Sequence, residues 1–315
     1  MADDDRYPMP RNPCGWYGVA RSAELDGRRA VPLRYLGREL VAFRDEQGRA
    51  RVLDAYCPHM GAHLGHGGTV DRGQLVCPFH QWRFDGEGRC VEAPFAKKLP
   101  PARVACHTTA EKNGIVLFWH HPRGDAPSYE IPEFPESDRR AWAAFSECRL
   151  RYRTHVQELR ENFCDESHFA FIHAQGAPAQ IDFKPDGPRA DLQSEVIYRH
   201  PLGVLRFDTR AQMFGPGVMV VRTLGFTDST AIALSTPIDG EWSELRLLFT
   251  AKKPRFMPWL ALLFRRNIRA RAISDLRHEG EIWDHKRYLA RPMLQAHEST
   301  TPKFRKWYQQ FYEGQ

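Results

Sequence analysis

The chain has 315 residues, of which 42% are hydrophobic and 27% are charged, and its formal net charge is +6. This length is sufficient for one or two globular domains with a substantial core, and no apolar run approaches the roughly 20 residues that a transmembrane helix requires. The basic residues are scattered along the chain, which argues against nucleic-acid binding, although a mildly positive surface suits an acidic protein partner or an anionic membrane.

The first residues of the chain, Met1 to Arg6, are polar and mostly acidic. They lack the basic-then-apolar pattern of a secretory signal, so we expect a cytoplasmic protein. The seven cysteines are an odd and sparse set, which argues against a disulfide framework. Some of them are therefore candidates for metal ligands.

Residues 30–120 predict a small antiparallel β domain. Short apolar runs alternate with turn signals, and turns are expected at Glu46–Arg49 and Asp85–Gly88. The runs expected to form strands are Ala30–Leu36, Leu40–Phe43, Arg51–Leu53, Leu75–Val76 and Ile115–Trp119.

Two short motifs in this region pair a cysteine with a histidine. Cys57 and His59 stand in a Cys-x-His motif, and Cys77 and His80 stand in a Cys-x-x-His motif, each on a loop rich in Pro or Gly. Two thiolates can hold one iron of a 2Fe-2S cluster while two imidazoles hold the other, which is Rieske ligation. A zinc site is the alternative, but a zinc finger pairs Cys with Cys and His with His.

A proline-rich acidic stretch, residues 123–140, predicts a linker, so we divide the chain into domains at 1–122 and 123–315. The second domain is expected to begin with a helix at Val156–His173 and to end with a long helix at Trp259–Leu289. Strands followed by a helix predict an α+β fold. The intervening strands are expected at Leu192–Tyr198, Val204–Thr209, Val218–Thr223, Ala231–Thr236 and Leu245–Thr250.

The helix at Val156–His173 carries a second set of metal-binding side chains. On a continuous helix, Glu161, Asp165 and His168 share one face, and a slight bend near the helix end would bring His173 to the same metal as His168. Two histidines and one carboxylate on one face of Fe(II) leave positions open for O₂. Asn162 lies beside them and is a candidate catalytic residue together with Asp165.

The two sets of residues together resemble the motifs of the Rieske-type non-haem iron oxygenases. The resemblance implies a 2Fe-2S cluster at the Cys-His motifs and a mononuclear Fe(II) held by His168 and His173. It also implies that Asp165 connects the iron to the cluster of a neighbouring subunit, its carboxylate bonding His168 on one side and that subunit's His80 on the other. A partner of this kind fixes the ring orientation of a metal ligand.

A third ligand must come from elsewhere in the chain. The segment Glu279–Lys286 is similar to a signature in which an acidic residue precedes Ile-Trp-x-x-Lys and ligates iron. By that register Glu279 is the ligand, although the signature usually has Asp there. Asp275, one helical turn earlier, is the alternative, while Glu281 and Asp284 are expected on a solvated helix face.

Three segments place the resemblance in the 3-ketosteroid 9α-hydroxylase and cholesterol 7-desaturase branch: Gly15–Ala20, Glu279–Lys286 and Lys306–Tyr312. The branch implies a Rieske domain joined to a helix-grip (START-like) catalytic domain in a homotrimer. It implies that O₂ is used to hydroxylate, desaturate or demethylate a sterol or steroid. Electrons would come from a separate ferredoxin or flavin reductase, since the chain shows no flavin or nicotinamide motif.

The segment Phe256–Phe264 is strongly apolar and is flanked by Lys and Arg on both sides. Aromatic and aliphatic bulk bordered by basic residues suits a membrane interface. The segment is therefore either a peripheral membrane contact that collects a lipid substrate, or an ordinary buried helix start or lid.

Three other functions share part of this sequence pattern. A Rieske oxygenase for an aromatic acid or an N- or O-methyl compound would have the same ligands but a polar pocket anchored by Arg. A Rieske ferredoxin would lack the second domain and its iron motif. A lipid-binding module would have the fold but an inactive iron site, and fold alone does not fix function.

Overall fold

The computed structural model describes residues 6–173, 177–200, 203–225 and 228–312. Residues 1–5, on which much of the expectation about a secretory signal rests, lie outside this range. The chain forms two compact units. The N-terminal unit comprises Trp16–Glu133 with Ile238–Gly240, and the C-terminal unit comprises the segment up to Gly15, Phe134–Pro237 and the residues from Glu241. The division thus falls between 133 and 134, whereas the linker composition predicts it between 122 and 123.

Three small antiparallel sheets build the N-terminal unit, in strand orders β1-β11-β10, β2-β3-β4-β9 and β5-β6-β7-β8. The predicted strands at Leu40–Phe43 and Arg51–Leu53 lie in β3 and β4, where most side chains are buried. The strands are β1 Gly15–Arg21, β2 Val31–Tyr35, β3 Arg38–Arg44, β4 Ala50–Asp54, β5 Thr69–Asp71, β6 Gln74–Val76, β7 Arg83–Phe84, β8 Cys90–Glu92, β9 Cys106–His107, β10 Thr109–Lys112 and β11 Ile115–His120.

A seven-stranded antiparallel sheet forms the body of the C-terminal unit, in the order β12-β18-β17-β16-β15-β14-β13. From β13 to β18 each strand pairs with the next in sequence, and β12 pairs with β18 as the edge strand on that side of the sheet. Each of the five predicted strands lies within one of these strands, while β12 and β13 were not predicted. The strands are β12 Ser146–Tyr152, β13 Ile181–Asp186, β14 Arg189–His200, β15 Gly203–Phe214, β16 Val218–Leu224, β17 Ser229–Pro237 and β18 Ser243–Ala251.

Within the described residues, four α-helices accompany this sheet: α1 Val156–Glu161, α2 Glu166–Phe171, α3 Leu260–Trp283 and α4 Thr300–Tyr308. The long helix α3 packs on β12 and β18. The core joins apolar side chains of the sheet to Trp283 of α3 and to the aromatic residues Phe304, Trp307 and Tyr308 of α4. Antiparallel sheets with a few packed helices confirm the α+β prediction.

The prediction of one helix across Val156–His173 is wrong. After α1 a 3₁₀ turn spans Asn162–Cys164, and Asp165 has an extended backbone (φ −95°, ψ 102°) before α2 begins. The Asp165 carboxylate accepts hydrogen bonds from two backbone N–H groups of the next turn. It therefore caps a new helix instead of continuing the old one, as short carboxylates commonly do.

The late helix is also shorter than predicted, since α3 ends at Trp283. The Arg6 guanidinium donates to the main-chain oxygens of Trp283 and Lys286, at 2.9 and 2.7 Å. Helix ends leave carbonyl groups without intrahelical partners, and an arginine from the other end of the chain provides hydrogen bonds to them here. The next residue, Tyr7, forms a hydrogen bond between its hydroxyl oxygen and Oγ1 of Thr154, which are 2.9 Å apart.

Candidate metal centres

Two loops of the N-terminal unit hold the paired cysteines and histidines, and they have closely matching backbones. The N–H of Gly61 donates to the oxygen of Cys57, and the N–H of Gln81 donates to the oxygen of Cys77, four residues earlier in each case. Gly61 and Gln81 both have positive φ, +71° and +58°. Gln81 is not a glycine, so this left-handed conformation carries a strain that the surrounding loop must sustain.

The four candidate cluster ligands fall into a sulfur pair and a nitrogen pair. Both cysteines are buried, and burial, followed by the charge of Cys77, raises the pKa of the Cys57 thiol to about 11 although backbone N–H groups of His59 and Met60 oppose it. The rings of His59 and His80 lie 4.6 Å apart between centroids. Trp82 stacks on His59 at 4.4 Å and fixes that ring.

This separation into pairs fits a two-iron cluster. Among the described residues, the donor group compact enough for one ion, with all atoms within 4.8 Å of one another, consists of His168, His173 and Glu279. The donor atoms of the cysteines and histidines in the N-terminal unit thus lie farther apart than one tetrahedral zinc ion allows. Two thiolates on one iron and two imidazoles on the other match the observed pairs.

In the C-terminal unit, the cap at Asp165 orients His168. Nδ1 of His168 lies 2.9 Å from the main-chain oxygen of Asp165. Because a carbonyl oxygen only accepts, Nδ1 carries the proton and Nε2 keeps its lone pair for a metal. Oδ1 of Asp165 accepts both capping bonds, and in this structure the His168 ring bonds the main-chain oxygen of Asp165 where the resemblance implies a bond to the carboxylate.

Three donor atoms converge where α2 meets α3. The Nε2 atoms of His168 and His173 are 3.1 Å apart, and Oε1 of Glu279 lies 3.2 Å from Nε2 of His173 and 3.7 Å from Nε2 of His168. Donors about 2.1 Å from a common ion lie roughly 3 to 3.5 Å from one another, so the residues present fit one metal ion. Glu279 is buried, although it sits in a helix with many exposed residues.

Asp275 occupies the opposite side of His173. Its Oδ2 lies 3.3 Å from Nδ1 of His173, the arrangement in which a carboxylate orients a metal-binding imidazole. Burial lowers the pKa of His173, but the side chains of Asp275 and Glu279 outweigh it and raise the pKa to about 9. Burial raises the pKa of Glu279, but both histidines outweigh it and lower the pKa to about 2.

Asn162 and Glu161 take separate roles beside this site. Nδ2 of Asn162 is 3.3 Å from Nε2 of His168, on the side of the ring that faces the donors. Glu161 points away and forms a two-bond ion pair with Arg305 of α4, at 2.8 and 2.6 Å. The structure thus brings Asn162, His168, His173 and Glu279 together and assigns Glu161 to holding α1 against α4.

A cavity of about 220 Å³ adjoins the three donors. Its wall is mostly apolar and is formed by side chains of β15 to β18, of α3 and of residues between 159 and 173. Arg160, which also borders it, donates to the main-chain oxygens of Pro216 and Ala233. The apolar lining residues include Phe163, Val221, Ala231, Leu245, Phe249, Ile268, Leu276 and Trp283.

Two contacts that support the site have no signal in the sequence pattern. The first joins Lys286 to the buried Glu158 of α1, with Nζ 2.5 Å from Oε2. The second is the close approach of Tyr152 to Gly280, where the Tyr152 hydroxyl donates to the oxygen of Leu276 at 2.8 Å. Both connect residues more than 100 positions apart, which local periodicity does not report.

Two family models match successive parts of the chain, with the change between 107 and 118, whereas the structural units divide between 133 and 134. Residues 15–107 match the Rieske [2Fe-2S] domain, and residues 118–312 match the 3-ketosteroid 9alpha-hydroxylase C-terminal domain. The second match alone covers more than half of the chain.

Among curated proteins, the oxygenase component of 3-ketosteroid-9-alpha-monooxygenase from Rhodococcus rhodochrous is 30% identical over 95% of this chain and 80% of its own length. The same component from Mycobacterium tuberculosis is 30% identical over 95% and 81%. Cholesterol 7-desaturase from Xenopus laevis is 27% identical over 97% and 73%.

Solved structures share the fold at lower identity. NdmA of Pseudomonas putida CBB5, as a mutant with theobromine, superposes with a TM-score of 0.76 at 19% identity over 95% of this chain and 90% of its own. Apo dicamba monooxygenase gives a TM-score of 0.74 at 16% identity over 97% and 98%. At these identities the likeness concerns the fold alone.

Proposed function

This chain belongs to the 3-ketosteroid 9α-hydroxylase family of Rieske oxygenases, and from that premise we propose that it oxidises a C–H bond of a sterol or steroid with O₂. It is a Rieske non-haem iron monooxygenase, with a 2Fe-2S cluster and a mononuclear iron, supplied with electrons by a separate reductase or ferredoxin. The observation that carries the substrate proposal is the apolar cavity that borders His168, His173 and Glu279. Hydroxylation, desaturation and demethylation are all compatible with these groups.

We assign Cys57, His59, Cys77 and His80 to the cluster, and His168, His173 and Glu279 to the mononuclear iron. The chemistry that bound Fe(II) supplies is activation of O₂ at the positions that three protein ligands leave open. In this proposal the chain's own residues orient the metal ligands and shield the substrate from water. Asp275 orients His173, Asn162 offers its amide beside His168, and the apolar wall excludes water from the substrate.

Asp165 is proposed to link cluster and iron between copies of the chain in a homotrimer. Its carboxylate fixes the start of α2 and its main-chain oxygen fixes the His168 ring. A residue of a neighbouring copy could bond this carboxylate. It would then be coupled to His168, a proposed metal ligand, through one turn of backbone. His80 of that copy, with its ring against the exposed Phe79, is the proposed contact.

The cavity favours an apolar substrate over an aromatic acid. An acid-binding pocket needs a cation to pair with the carboxylate. Arg160, which lines the cavity, already donates to two main-chain oxygens, which supports a structural role for it. The lipid-binding alternative predicts a site that holds no mononuclear iron.

A peripheral membrane contact at Phe256–Phe264 completes the proposal. Phe256, Trp259 and Leu262 are exposed at 88%, 58% and 50%, while Phe264 packs inward on a small core of alanines. Arg255 and Arg266 are exposed beside these apolar side chains, so an anionic membrane suits the patch. No helix among the described residues is long and apolar enough to cross a bilayer, and a cytoplasmic location stays a prediction.

Flotation with anionic liposomes tests this contact. The double variant Phe256→Ser/Trp259→Ser is expected to lose binding, whereas Met293→Ser, at an equally exposed side chain elsewhere, is expected to keep it. Equal flotation of the folded double variant and the wild type would reject the membrane contact and leave the oxygenase proposal untouched.

The substrate is tested by electron paramagnetic resonance of the reduced protein with nitric oxide. The ferrous–nitrosyl signal reports the mononuclear iron without any reductase, and Glu279→Gln serves as the variant expected to lack it. A sterol or steroid is expected to change this signal. A change caused by aromatic acids but not by sterols or steroids would overturn the substrate class, and a wild type that takes up no mononuclear iron would overturn the oxygenase.

A further inference from the structure

Three hydroxyl side chains form a row across the cavity-facing side of the seven-stranded sheet. Thr209 of β15 pairs with Thr223 of β16, and Thr223 pairs with Ser229 of β17. Directly paired residues of antiparallel strands carry their side chains to the same face. All three residues line the cavity, so the row forms part of its wall.

The neighbouring row on the same face is apolar. Two residues along each strand, Ala211 pairs with Val221, Val221 with Ala231, and Ala231 with Phe249. Because strand side chains alternate with a period of two, this row also faces the cavity. The hydroxyl row is therefore a polar edge on an apolar surface.

The hydroxyl row lies towards the start of α3, whereas Glu279 lies near the end of that helix. Ser229 pairs with Ala251, and Ala251 packs against Ala261 in the first turn of α3. Glu279 belongs to the last turns of the same helix. The cavity-lining residues of α3 extend from Ile268 past Leu276 to Glu279 and Trp283, and with a rise of about 1.5 Å per residue Ile268 and Glu279 are separated by roughly 17 Å along the helix axis.

The side chain of Thr209 has a hydroxyl group whose capacity to form hydrogen bonds is unused among the described residues. Its Oγ1 is buried and has no hydrogen-bond partner within the described parts of the chain. A buried hydroxyl without a partner is unfavourable, because it has lost its hydrogen bonds to water and gained none in the protein. A ligand oxygen that reached the row would remove this penalty, and Thr223, at the centre of the row, is placed to share that oxygen.

We propose that Thr209 and Thr223 bind a neutral oxygen substituent at one end of the substrate and thereby select which carbon faces His168, His173 and Glu279. The inference rests on the proposed sterol or steroid oxygenase. A threonine hydroxyl both donates and accepts, so the row receives a keto oxygen or a hydroxyl group. It carries no charge, so it does not favour a carboxylate.

The selection follows from the rigidity of the substrate. In a fused-ring skeleton the distance from a terminal oxygen to each C–H bond is fixed. Anchoring that oxygen at one end of the cavity therefore fixes the carbon presented at the other, whereas an apolar wall alone permits sliding along the long axis. A misplacement of about 1 Å is enough to change rate or position of reaction substantially.

The test compares variants that remove the hydroxyl with variants that keep it. Thr209→Val and Thr223→Val preserve the branched shape, and Thr209→Ser and Thr223→Ser preserve the hydroxyl. The ligands are a 3-hydroxy sterane, a 3-keto sterane and the parent hydrocarbon without oxygen. Binding is measured by equilibrium dialysis on protein without mononuclear iron, and product position is measured on the loaded enzyme.

We expect each valine variant to bind the oxygenated ligands about three- to tenfold more weakly, to bind the hydrocarbon unchanged, and to give a broader set of oxidation positions. The serine variants should resemble the wild type. If the wild type binds oxygenated steranes and the valine variants bind them equally well, the row is not the anchor. If the wild type binds no sterane, the proposed substrate class fails instead.

Discussion

Lys286 Nζ lies 2.5 Å from Oε2 of Glu158, whose carboxylate is fully buried in α1. Glu158 lies in α1, which precedes His168 of α2 in the chain, and Lys286 lies three residues beyond the end of α3, the helix that carries Glu279. Burial raises the pKa of Glu158 although the charge of Lys286 opposes it. The pair therefore holds the two chain segments that carry the proposed metal ligands in one register.

Breaking this pair should be costly. Lys286→Met leaves a buried carboxylate without its counter-charge, and loss of one partner of such a pair costs about 3 kcal/mol. The double variant Glu158→Leu/Lys286→Met removes both charges and should recover most of the stability. Urea unfolding of the wild type, the single variants Glu158→Leu and Lys286→Met and the double variant measures the coupling, and additive effects of the single changes would show that the two residues act independently.

Gly280→Ala should destabilise the protein, against the usual trend. Alanine in a helix normally stabilises it by about 1 kcal/mol relative to glycine. Here the added Cβ would lie 2.4 Å from a ring carbon of Tyr152, so α3 or the ring must move. We expect lower stability and weaker retention of mononuclear iron, because Glu279 precedes Gly280. A stabilised variant with unchanged iron content would mean that Tyr152 moves aside freely.

Glu279 and Asp275 should respond differently to loss of charge. Glu279→Gln removes a proposed ligand, so mononuclear iron is expected to be lost while the cluster absorbance remains. Asp275→Asn removes only the partner of the His173 ring, which typically weakens metal binding 10- to 100-fold. Iron analysis after dialysis against a graded chelator distinguishes the two. Equal losses in both variants would indicate that both carboxylates bind the metal.

His155 should make the protein sensitive to mild acid. It caps α1 through Nδ1 and its Nε2 lies 3.1 Å from the oxygen of Pro10. Burial lowers the pKa of His155 to about 4, although bonds to Pro10 and Arg11 oppose it. In the unfolded chain the pKa of the His155 ring is near 6.5, so in mild acid the unfolded chain binds a proton that the folded chain does not bind.

Stability from His155 is therefore fully present above about pH 6.5 and falls by up to about 3 kcal/mol as the pH drops towards 4. His155→Asn retains a capping side chain but does not titrate in this range. Its free energy of unfolding, measured by urea at pH 7.5, 5.5 and 4.5, should fall less steeply than that of the wild type. Parallel curves for both proteins would exclude His155 as the titrating group.

The residues that could be predicted from sequence are those whose chemistry fixes their spacing. The Cys-His pairs at Cys57 and Cys77 must approach one cluster, so their motifs are short and local. The break at Asp165 escaped prediction because residues 156–173 are also compatible with a continuous helix, and only the capping bonds to the next turn decide against it. Glu279 was placed by resemblance, and its role as a ligand stays a prediction.

Pairs such as Lys286 with Glu158, or Thr209 with Thr223, could not be predicted in the same way. Their partners are distant in sequence or depend on strand register, and a shift of one residue would move each threonine to the other face of the sheet. Composition gives no information on register.

The bond from Arg6 to the end of α3 implies an order of events during synthesis. The first segment also pairs with the last, since the N–H of Cys14 donates to the oxygen of Phe311 at 2.7 Å and the N–H of Tyr288 donates to the oxygen of Arg6 at 3.0 Å. On the ribosome these bonds cannot form until residues 283–311 have been synthesised. The N-terminal unit has most of its own residues by position 133 and can fold earlier, whereas α3, which carries Glu279, gains this cap only after Lys286 has been synthesised.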